Sequence, residues 1–353
     1  MDKVKVGVIG VGNISWCHLE GYSKDPRVEL YAFCDLDEAK LKEKSEKYGV
    51  KRLYTDVDTM LKECPELDAV SVCVWNINHS KCAIAALKAG KHVLCEKPIA
   101  MTVEQALEMQ KAAEEAGKVL QIGFCCRYGT DAKIINEYRD KGFFGDFYYA
   151  KASYLRRFGN PGGWFADVSM SGGGPLIDLG VHIIDLTRYL MGNPKPVAVF
   201  GATYRKVDRS QTYQANPYGA STGGLETKND VEDLAAAMVR YDNGAVLNVE
   251  ASYCMNLKQD VYAMELFGSK GGVRICPDMQ MYTDMNGFMV DITPVDMIGM
   301  EEDQALFDRE TAHFIDCVQG KAECIAPAQD GVDILRIIRA IYESAETGSE
   351  VKL

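Results

Sequence analysis

Three residues that can hold or transfer protons, Asp178, His182 and Asp185, lie in a stretch otherwise apolar enough for a protein core, SGGGPLIDLGVHIIDLTRYLMG (residues 171–192). An imidazole has an ordinary pKa of about 6.5, which suits a proton acceptor near neutral pH. Burying carboxylates and imidazoles is costly unless they are paired or used. The stretch therefore predicts either a satisfied internal polar network or one wall of a catalytic site, and its residues alone do not decide between the two.

A single helix over about residues 175–191 would bring these groups to one face. Pro175 suits the first turn of a helix, and Gly192 is a stop signal. At roughly 100° per residue, the three groups and Tyr189 fall within about 60° of one another. On such a helix Asp178 and His182 occupy positions i and i+4 and can form a hydrogen bond.

Short apolar runs alternate with helical patterns through the first third of the chain. The runs are VKVGVI (4–9), VELYAFCD (28–35), AVSVCVW (69–75), HVLCEKP (92–98) and VLQIGFC (119–125). A helical pattern over 104–118 is typical of the segments between them. Near-continuous apolar strands that alternate with helices predict a parallel sheet covered on both faces.

After about residue 125 the pattern changes to strands joined by tight turns. The strand-like stretches are 146–158, 235–253 and 262–275, and Asn243-Gly244 is a hairpin signal inside the second of them. These stretches predict a mainly antiparallel sheet with a few helices, of which the last covers 330–348. The polar stretch 206–231, which includes Tyr213 and Tyr218, reads as a long loop.

A glycine-rich turn follows the first predicted strand. Gly10 and Gly12 would let the backbone approach a pyrophosphate at the start of the next helix. Asp35 closes the second predicted strand, where a carboxylate accepts hydrogen bonds from a ribose and repels a 2′-phosphate. The turn predicts NAD binding, with NAD favoured over NADP; the alternative is a structural turn with a surface aspartate.

Composition excludes several classes of partner. A chain of 353 residues predicts two domains, and its net charge of −12 argues against nucleic acid. The chain has no stretch of about 18 uninterrupted apolar residues, so we expect no membrane span. Its start leads directly into a strand, so we expect no signal peptide. The 12 cysteines form no CxxC pair and the five histidines no HxH or HxxxH cluster, so we expect free thiols, a cytoplasmic protein and no metal site.

Four motifs together resemble the glucose-fructose oxidoreductase / inositol dehydrogenase (Gfo/Idh/MocA) family over essentially the whole chain. They are GVIGVGNI (7–14), WNINH (75–79), CEKP (95–98) and GGGPLIDLGVHIIDL (172–186). The resemblance implies an α/β protein with a doubly wound Rossmann domain for NAD at 1–124. It also implies an α+β domain at 125–353 that binds substrate and has a large open, mainly antiparallel sheet, through which a homodimer or homotetramer forms.

The same resemblance implies which residues carry the chemistry. Lys97, Asp178 and His182 take the catalytic positions: His182 as proton acceptor, Asp178 orienting it or binding a substrate hydroxyl, and Lys97 stabilising a developing alkoxide. The residues implied to contact the cofactor are Gly10, Gly12, Asn13, Ile14, Asp35, Asn76, His79, Glu96 and Lys97. For His79, a role at the start of a helix is the equal alternative.

Further candidates suit a site for a sugar or polyol, because planar donors and carboxylates hold hydroxyls and aromatic rings stack on sugar faces. They are Arg127, Arg156, Trp164 and Asp167, beside Asp178 and His182. Each of the four is equally open to a structural role. The chain departs from the family pattern at Ser15, in the place of a glycine or alanine, and at Trp75, in the place of a proline, but neither change removes a chemical group.

These features predict an NAD-dependent dehydrogenase of a sugar, glycoside or cyclitol, with C3 of a glucoside as one candidate position. Two other classes remain open. One is a glycoside-cleaving enzyme that oxidises its substrate transiently, and the other is a dinucleotide-sensing regulator without catalysis. The intact Lys97 favours the dehydrogenase over the first, and the complete Lys97, Asp178 and His182 set favours it over the second.

Overall fold

The protein is described by a computed structural model over residues 3–207, 228–295 and 303–353. These residues form two compact units. The N-terminal unit consists of Met1–Tyr128 and Glu301–Val332, and the C-terminal unit of Gly129–Met300 and Asp333–Leu353. The predicted division of roles between 1–124 and 125–353 stays a prediction.

Helices and strands alternate first and then separate along the chain. The strands are β1 (Val4–Ile9), β2 (Val28–Cys34), β3 (Arg52–Tyr54), β4 (Ala69–Val72), β5 (His92–Glu96), β6 (Leu120–Gly123), β7 (Phe147–Leu155), β8 (Pro196–Tyr204), β9 (Leu234–Tyr241), β10 (Val246–Ser252), β11 (Val261–Gly268), β12 (Gly271–Cys276), β13 (Gln280–Met285), β14 (Phe288–Ile292) and β15 (Val351–Lys352). The α-helices are α1 (Ser15–Lys24), α2 (Glu38–Tyr48), α3 (Val57–Glu63), α4 (His79–Lys88), α5 (Val103–Ala116), α6 (Thr130–Asp140), α7 (Val168–Ser171), α8 (Val181–Leu190), α9 (Asp303–Val318) and α10 (Ala328–Thr347).

The N-terminal unit is built on a parallel sheet of six strands among the residues described, in the order β3-β2-β1-β4-β5-β6. This confirms the predicted doubly wound architecture. The strand order reverses between β1 and β4, and in open α/β sheets ligands bind outside the carboxyl ends of the strands at such a point. The turns after β1, β2, β4 and β5 carry the predicted cofactor residues, so the topology brings those residues to one edge of the sheet.

Helix α9 belongs to the N-terminal unit although it follows the strands of the C-terminal unit, β7 to β14, in the chain. Its Phe314 and Ile315 are buried in one cluster with Val4 and Tyr22. A Cβ on Gly21 of α1 would lie 2.3 Å from the Thr311 hydroxyl oxygen of α9, so the two helices pack at close range. The core of this unit therefore depends on a segment that the pattern of the first third did not reveal.

The C-terminal unit contains a mixed sheet of nine strands within the described ranges, in the order β14-β13-β12-β11-β7-β10-β9-β8-β15. Only the β7–β10 pair is parallel among the pairs described, which confirms the prediction of a mainly antiparallel sheet. The predicted hairpin joins β9 to β10, with Gly244 at φ +85°. Helix α8 packs against β7 and β11, and Ile341 of α10 contacts Gly201 of β8.

The helix predicted over about 175–191 is confirmed in extent, since residues 175–190 are helical without a break, but its first turn is not α-helical. Residues Leu176–Gly180 form a π-helical turn, and the α-helix α8 begins only at Val181. A Cβ at Gly180 would lie 3.0 Å from the Leu176 side chain and 3.5 Å from Ala251 of β10, so the turn sits close against the sheet. Because a π turn forms i→i+5 hydrogen bonds, a spacing of about 100° per residue does not hold across Asp178.

Much of the predicted 206–231 loop, including Tyr213 and Tyr218, lies outside the described residues. Its ends are described at 206–207 and 228–231 and have no regular secondary structure. Within the described parts of the chain, no helix is both long enough and apolar enough to cross a membrane.

Candidate active site

The turn after β1 has the geometry of a dinucleotide-binding loop. Gly10 has φ +85°, and a Cβ there would lie 2.6 Å from the Cys73 carbonyl oxygen, so only glycine fits. A Cβ at Gly12 would meet nothing within 4 Å, which leaves the backbone open to a ligand. Ser15, the departure from the family pattern, is buried and donates its hydroxyl to the Gly12 carbonyl oxygen at 2.6 Å. The hydrogen bond from Ser15 therefore stabilises the turn on its buried side. The two remaining residues of the turn precede α1: Asn13 is exposed and Ile14 is half-buried.

Asp35 is tied directly to this turn. Its Oδ2 accepts a hydrogen bond from the Val11 amide at 2.7 Å, and its Oδ1 accepts one from the Asp37 amide at 2.9 Å. Each carboxylate oxygen can accept a second hydrogen bond, so both remain able to receive a ribose hydroxyl. The open Gly12 backbone, the start of α1 and the oriented Asp35 together fit the diphosphate and ribose of NAD.

His79 joins the loops that follow β4 and β5. It is buried, with Nδ1 2.7 Å from the Pro98 carbonyl oxygen and Nε2 3.0 Å from the Val74 carbonyl oxygen. Burial lowers the pKa of His79, although the two carbonyl oxygens oppose that shift. The ring thus braces the two loops that carry Asn76 and Lys97; the predicted contact of His79 with the cofactor stays a prediction.

Glu96, at the end of β5, forms a buried ion pair that sequence patterns did not reveal. Its Oε1 lies 2.8 Å from Nε2 of His18 in α1, and its Oε2 accepts a hydrogen bond from the Lys97 amide at 3.2 Å. Burial opposes ionisation of Glu96, but the hydrogen bond from His18 lowers its pKa below the ordinary value. Burial lowers the pKa of His18, while contacts with Cys73 and Glu96 raise it to about 10. The pair holds the carboxylate that immediately precedes Lys97.

In the C-terminal unit, Asp178 lies on the π turn and His182 on the first turn of α8; both side chains are half-buried. Oδ2 of Asp178 accepts a hydrogen bond from the hydroxyl of Tyr253 at 2.9 Å. Tyr253 is buried beside the end of β10, and burial raises its pKa well above the ordinary value. Asp178 is therefore oriented from the sheet by a tyrosine that sequence reasoning missed. Asp185, one turn beyond His182, is buried.

Arg127 has a structural partner within the N-terminal unit. Its fully buried side chain donates from Nη1 to Asp330 Oδ2 at 2.7 Å and to the Ile325 carbonyl oxygen at 2.5 Å. A buried guanidinium in an ion pair of this kind links the first turn of α10 to the segment before it. This ion pair is the structural role that the sequence left open for Arg127, and its predicted contact with substrate stays a prediction.

The other three substrate candidates lie near one another in the chain, in the C-terminal unit. Buried Arg156 donates from Nη1 to the Gly159 carbonyl oxygen at 3.0 Å. Asp167 caps α7 by accepting a hydrogen bond from the Ser169 amide at 2.9 Å. Trp164 stacks on Phe165 with ring centroids 3.9 Å apart. These contacts define a folded segment between β7 and the π turn, and the predicted substrate contacts of its residues stay predictions.

Both parts of the chain match models of one protein family. Residues 4–124 match the model described as an oxidoreductase family, NAD-binding Rossmann fold, and residues 140–353 match its C-terminal alpha/beta domain. The chain belongs to the Gfo/Idh/MocA oxidoreductase family. The predicted cofactor, NAD, and the predicted class, an NAD-dependent oxidoreductase, are thereby confirmed.

Individual relatives in this family include dehydrogenases of glucosides and cyclitols. The chain is 34% identical to D-glucoside 3-dehydrogenase of Escherichia coli over 100% of its own length and 98% of that protein's. It is 30% identical to myo-inositol 2-dehydrogenase of Thermotoga maritima over 76% of this chain and 74% of that one. The structure of aldose-aldose oxidoreductase from Caulobacter crescentus complexed with glycerol superposes with a TM-score of 0.81 at 27% identity, covering 99% of this chain and 100% of that chain.

Proposed function

We propose that this protein oxidises a secondary hydroxyl of a pyranoside with NAD, at C3 of a glucoside. The observation that carries the proposal is the 34% identity to D-glucoside 3-dehydrogenase over practically the full length of both chains. The candidate groups Lys97, Asp178 and His182 are all present in the motifs that the family resemblance relies on. NAD, when bound, supplies the hydride acceptor.

Each candidate group has a distinct task in this reaction. The His182 imidazole takes the proton from the hydroxyl oxygen while the carbon is oxidised. Asp178, held by Tyr253, accepts a hydrogen bond from the imidazole or from a neighbouring hydroxyl of the sugar. The Lys97 ammonium stabilises negative charge on the reacting oxygen, and the Glu96 carboxylate holds the Lys97 backbone amide.

The mixture of charges favours a polyol over a carboxylate substrate. The C-terminal candidates Arg156, Trp164 and Asp167 offer a cation, an aromatic ring and an anion. Such a set suits several hydroxyls and a sugar face, whereas a carboxylate substrate calls for an excess of fixed positive charge. The net charge of the chain, −12, does not supply one.

The test is to incubate the protein and NAD with alkyl and aryl glucosides, free glucose, myo-inositol and small hydroxy acids. NADH absorbance reports turnover, and NMR of the product locates the new carbonyl. We expect stoichiometric NADH and a carbonyl at C3 of the glucosides. Turnover of myo-inositol alone would discard the glucoside, and turnover of hydroxy acids alone would discard the polyol.

The same incubations separate the other two classes. Release of the free sugar from an aryl glucoside without net NADH would indicate cleavage through transient oxidation. Tight NAD binding with neither NADH nor sugar release would indicate a dinucleotide sensor.

We further propose that the protein is a homo-oligomer formed through the C-terminal sheet. Helices cover one face of that sheet at β7, β8 and β11. On the opposite face a shallow groove is lined by residues that include Phe200, Met238, Asn248, Lys151 and Glu250. Phe200 is 55% exposed and Met238 49%, and exposed apolar side chains in a polar surround are typical of interfaces between subunits.

A further inference from the structure

The Glu232 carboxylate lies against the start of the π turn that carries Asp178. Its Oε2 accepts a hydrogen bond from the Gly174 amide at 2.9 Å, and its Oε1 accepts one from the Leu176 amide at 3.1 Å. The first amides of a helix have no partner inside the helix, and a negative charge there is stabilised by the helix dipole. Glu232 thus binds two of these amides from a segment that is distant from the turn in the sequence.

Tyr342 of α10 holds the same carboxylate in place. Its hydroxyl donates to Glu232 Oε1 at 2.8 Å, so three donors converge on two oxygens. Glu232 is half-buried; desolvation raises its pKa, while the two amides and the tyrosine hydroxyl oppose the shift. Both carboxylate oxygens are therefore engaged, Oε2 by the turn and Oε1 by the turn and α10.

Two glycines of the GGGP motif (172–175), Gly173 and Gly174, leave the space that Tyr342 and Glu232 occupy beside the turn. A Cβ on Gly173, where φ is +156°, would lie 2.1 Å from the Tyr342 hydroxyl oxygen. A Cβ on Gly174 would lie 2.7 Å from the Glu232 carbonyl oxygen and 2.9 Å from Val231 Cβ. Side chains at these positions would push Tyr342 and residues 231–232 away from the turn.

Val231 adds an apolar contact to the same turn. It is buried in one cluster with Leu179 of the π turn and with Tyr253, the residue that orients Asp178. Two neighbouring residues, Val231 and Glu232, therefore contact both ends of the π turn, one through packing and the other through hydrogen bonds.

We propose that Glu232 is a positioning residue: its carboxylate, held by Tyr342, sets the place of the π turn and of the α8 start, and thereby of Asp178 and His182. The catalytic part of this inference rests on the proposed dehydrogenase function. Neither Glu232 nor Tyr342 needs to touch the substrate, because both act through the backbone amides of the turn.

The Glu232→Gln variant tests the inference while keeping the side-chain volume. A glutamine has one acceptor oxygen and turns an NH₂ group toward a donor, so it cannot satisfy both amides and the tyrosine. We expect kcat with a glucoside to fall by about tenfold to 10²-fold, the scale of a misplaced catalytic group, with the Kd of NAD within about twofold of wild type. We also expect the Gly174 and Leu176 amides to exchange hydrogen faster, and the His182 ring signals to shift in NMR.

Two variants supply the controls. Tyr342→Phe removes one hydroxyl, and combined with Glu232→Gln it should lower kcat little further, because both changes act through the same carboxylate. Asp233→Asn alters the adjacent carboxylate, which accepts hydrogen bonds from the Lys206 and Val207 amides instead, and should leave kcat and the Gly174 exchange unchanged.

Wild-type kcat in Glu232→Gln would overturn the inference, and so would an equal loss in Asp233→Asn. Reduced kcat with unchanged exchange of the Gly174 and Leu176 amides would also contradict it, because the carboxylate would then act elsewhere. If the wild-type protein oxidises no pyranoside, the proposed function fails on its own. The exchange rates and the His182 signals still decide whether Glu232 positions the turn.

Discussion

At the scale of single residues, His182 and Lys97 differ in which properties their removal should change. We expect His182→Ala and Lys97→Ala each to lower kcat by about 10²-fold or more, the usual effect of losing proton transfer or charge stabilisation. The Kd of NAD should change much less in His182→Ala, because the cofactor turn and the residues that brace it lie in the N-terminal unit. Steady-state kinetics and NAD titration measure both quantities. Near wild-type turnover in His182→Ala would mean that the polar residues of this helix, Asp178, His182 and Asp185, are purely structural.

Asp35 allows a residue-scale prediction on cofactor choice. In Asp35→Asn the negative charge that faces a 2′-phosphate is lost, while an amide oxygen remains for the Val11 amide. We expect the ratio of kcat/KM for NADP to that for NAD to rise by about tenfold or more, which corresponds to about 1.4 kcal/mol. Comparable efficiency with both cofactors in the wild-type protein would contradict the role given to Asp35, as would an unchanged ratio in the variant.

The residues that sequence reasoning found and missed differ in a physical way. Gly10, Asp35 and Lys97 follow strands, so their place at one sheet edge follows from local pattern and parallel topology. Tyr253 and Glu232 reach the π turn from segments that are distant in the sequence, and no local periodicity predicts such contacts. His18 offered a weak signal, as a histidine on the helix after the glycine turn, but its partner Glu96 lies on a strand far along the chain.

At the scale of elements, the strands with a strong apolar pattern could be predicted from the sequence, whereas β3 and the π turn could not. The buried strands β1, β2, β4, β5 and β6 stand out because both faces of the sheet are covered. Strand β3 has only three residues, two of them exposed, so it carries no apolar signal. The π turn could not be predicted because its shape depends on the Glu232 cap and on close packing at Gly180.

The pairing of β5 with β6 provides an element-scale prediction on pH. His92 Nδ1 accepts a hydrogen bond from the Val119 amide at 3.1 Å, at the start of this pairing. Burial, with a contribution from Lys118, lowers the pKa of His92 to about 4. Between pH 6.5 and 4 the unfolded chain therefore binds a proton that the folded chain resists, so stability is lost as the pH falls through this range.

The measurement is the urea midpoint at pH 7 and at pH 5 for wild type and His92→Asn. Asparagine can accept from the Val119 amide but does not titrate, so we expect the variant to lose less stability on acidification. The carboxylates are common to both proteins and cancel in the comparison. The buried His18 behaves oppositely, since its raised pKa makes its contribution present below pH 6.5 and lost as the pH rises toward 10. An identical pH dependence in the two proteins would contradict the role of His92.

At the scale of the whole molecule, strand register aligns a row of side chains across the exposed face of the C-terminal sheet. Phe200 pairs with Met238, Met238 with Asn248, Asn248 with Lys151 and Lys151 with Glu265. The row runs from apolar at one end to charged at the other. Exposed apolar side chains at one end of such a row suit the buried core of an interface between two copies, with the charged end at its rim.

This row leads to a prediction on assembly. We expect the wild-type protein to be a dimer or tetramer by light scattering coupled to size exclusion, and Phe200→Lys with Met238→Glu to reduce its mass to that of one chain. The matched control is Leu107→Lys on α5, which also places a charge on an apolar side chain, 41% exposed, but in the N-terminal unit. It should leave the mass unchanged. A wild-type protein that stays a single chain at micromolar concentration would refute the oligomer, and an unchanged mass in the double variant would move the interface to another surface. A lower mass in Leu107→Lys would mean that a charge at an unrelated surface also disrupts the assembly. The double variant would then give no support to an interface on the C-terminal sheet.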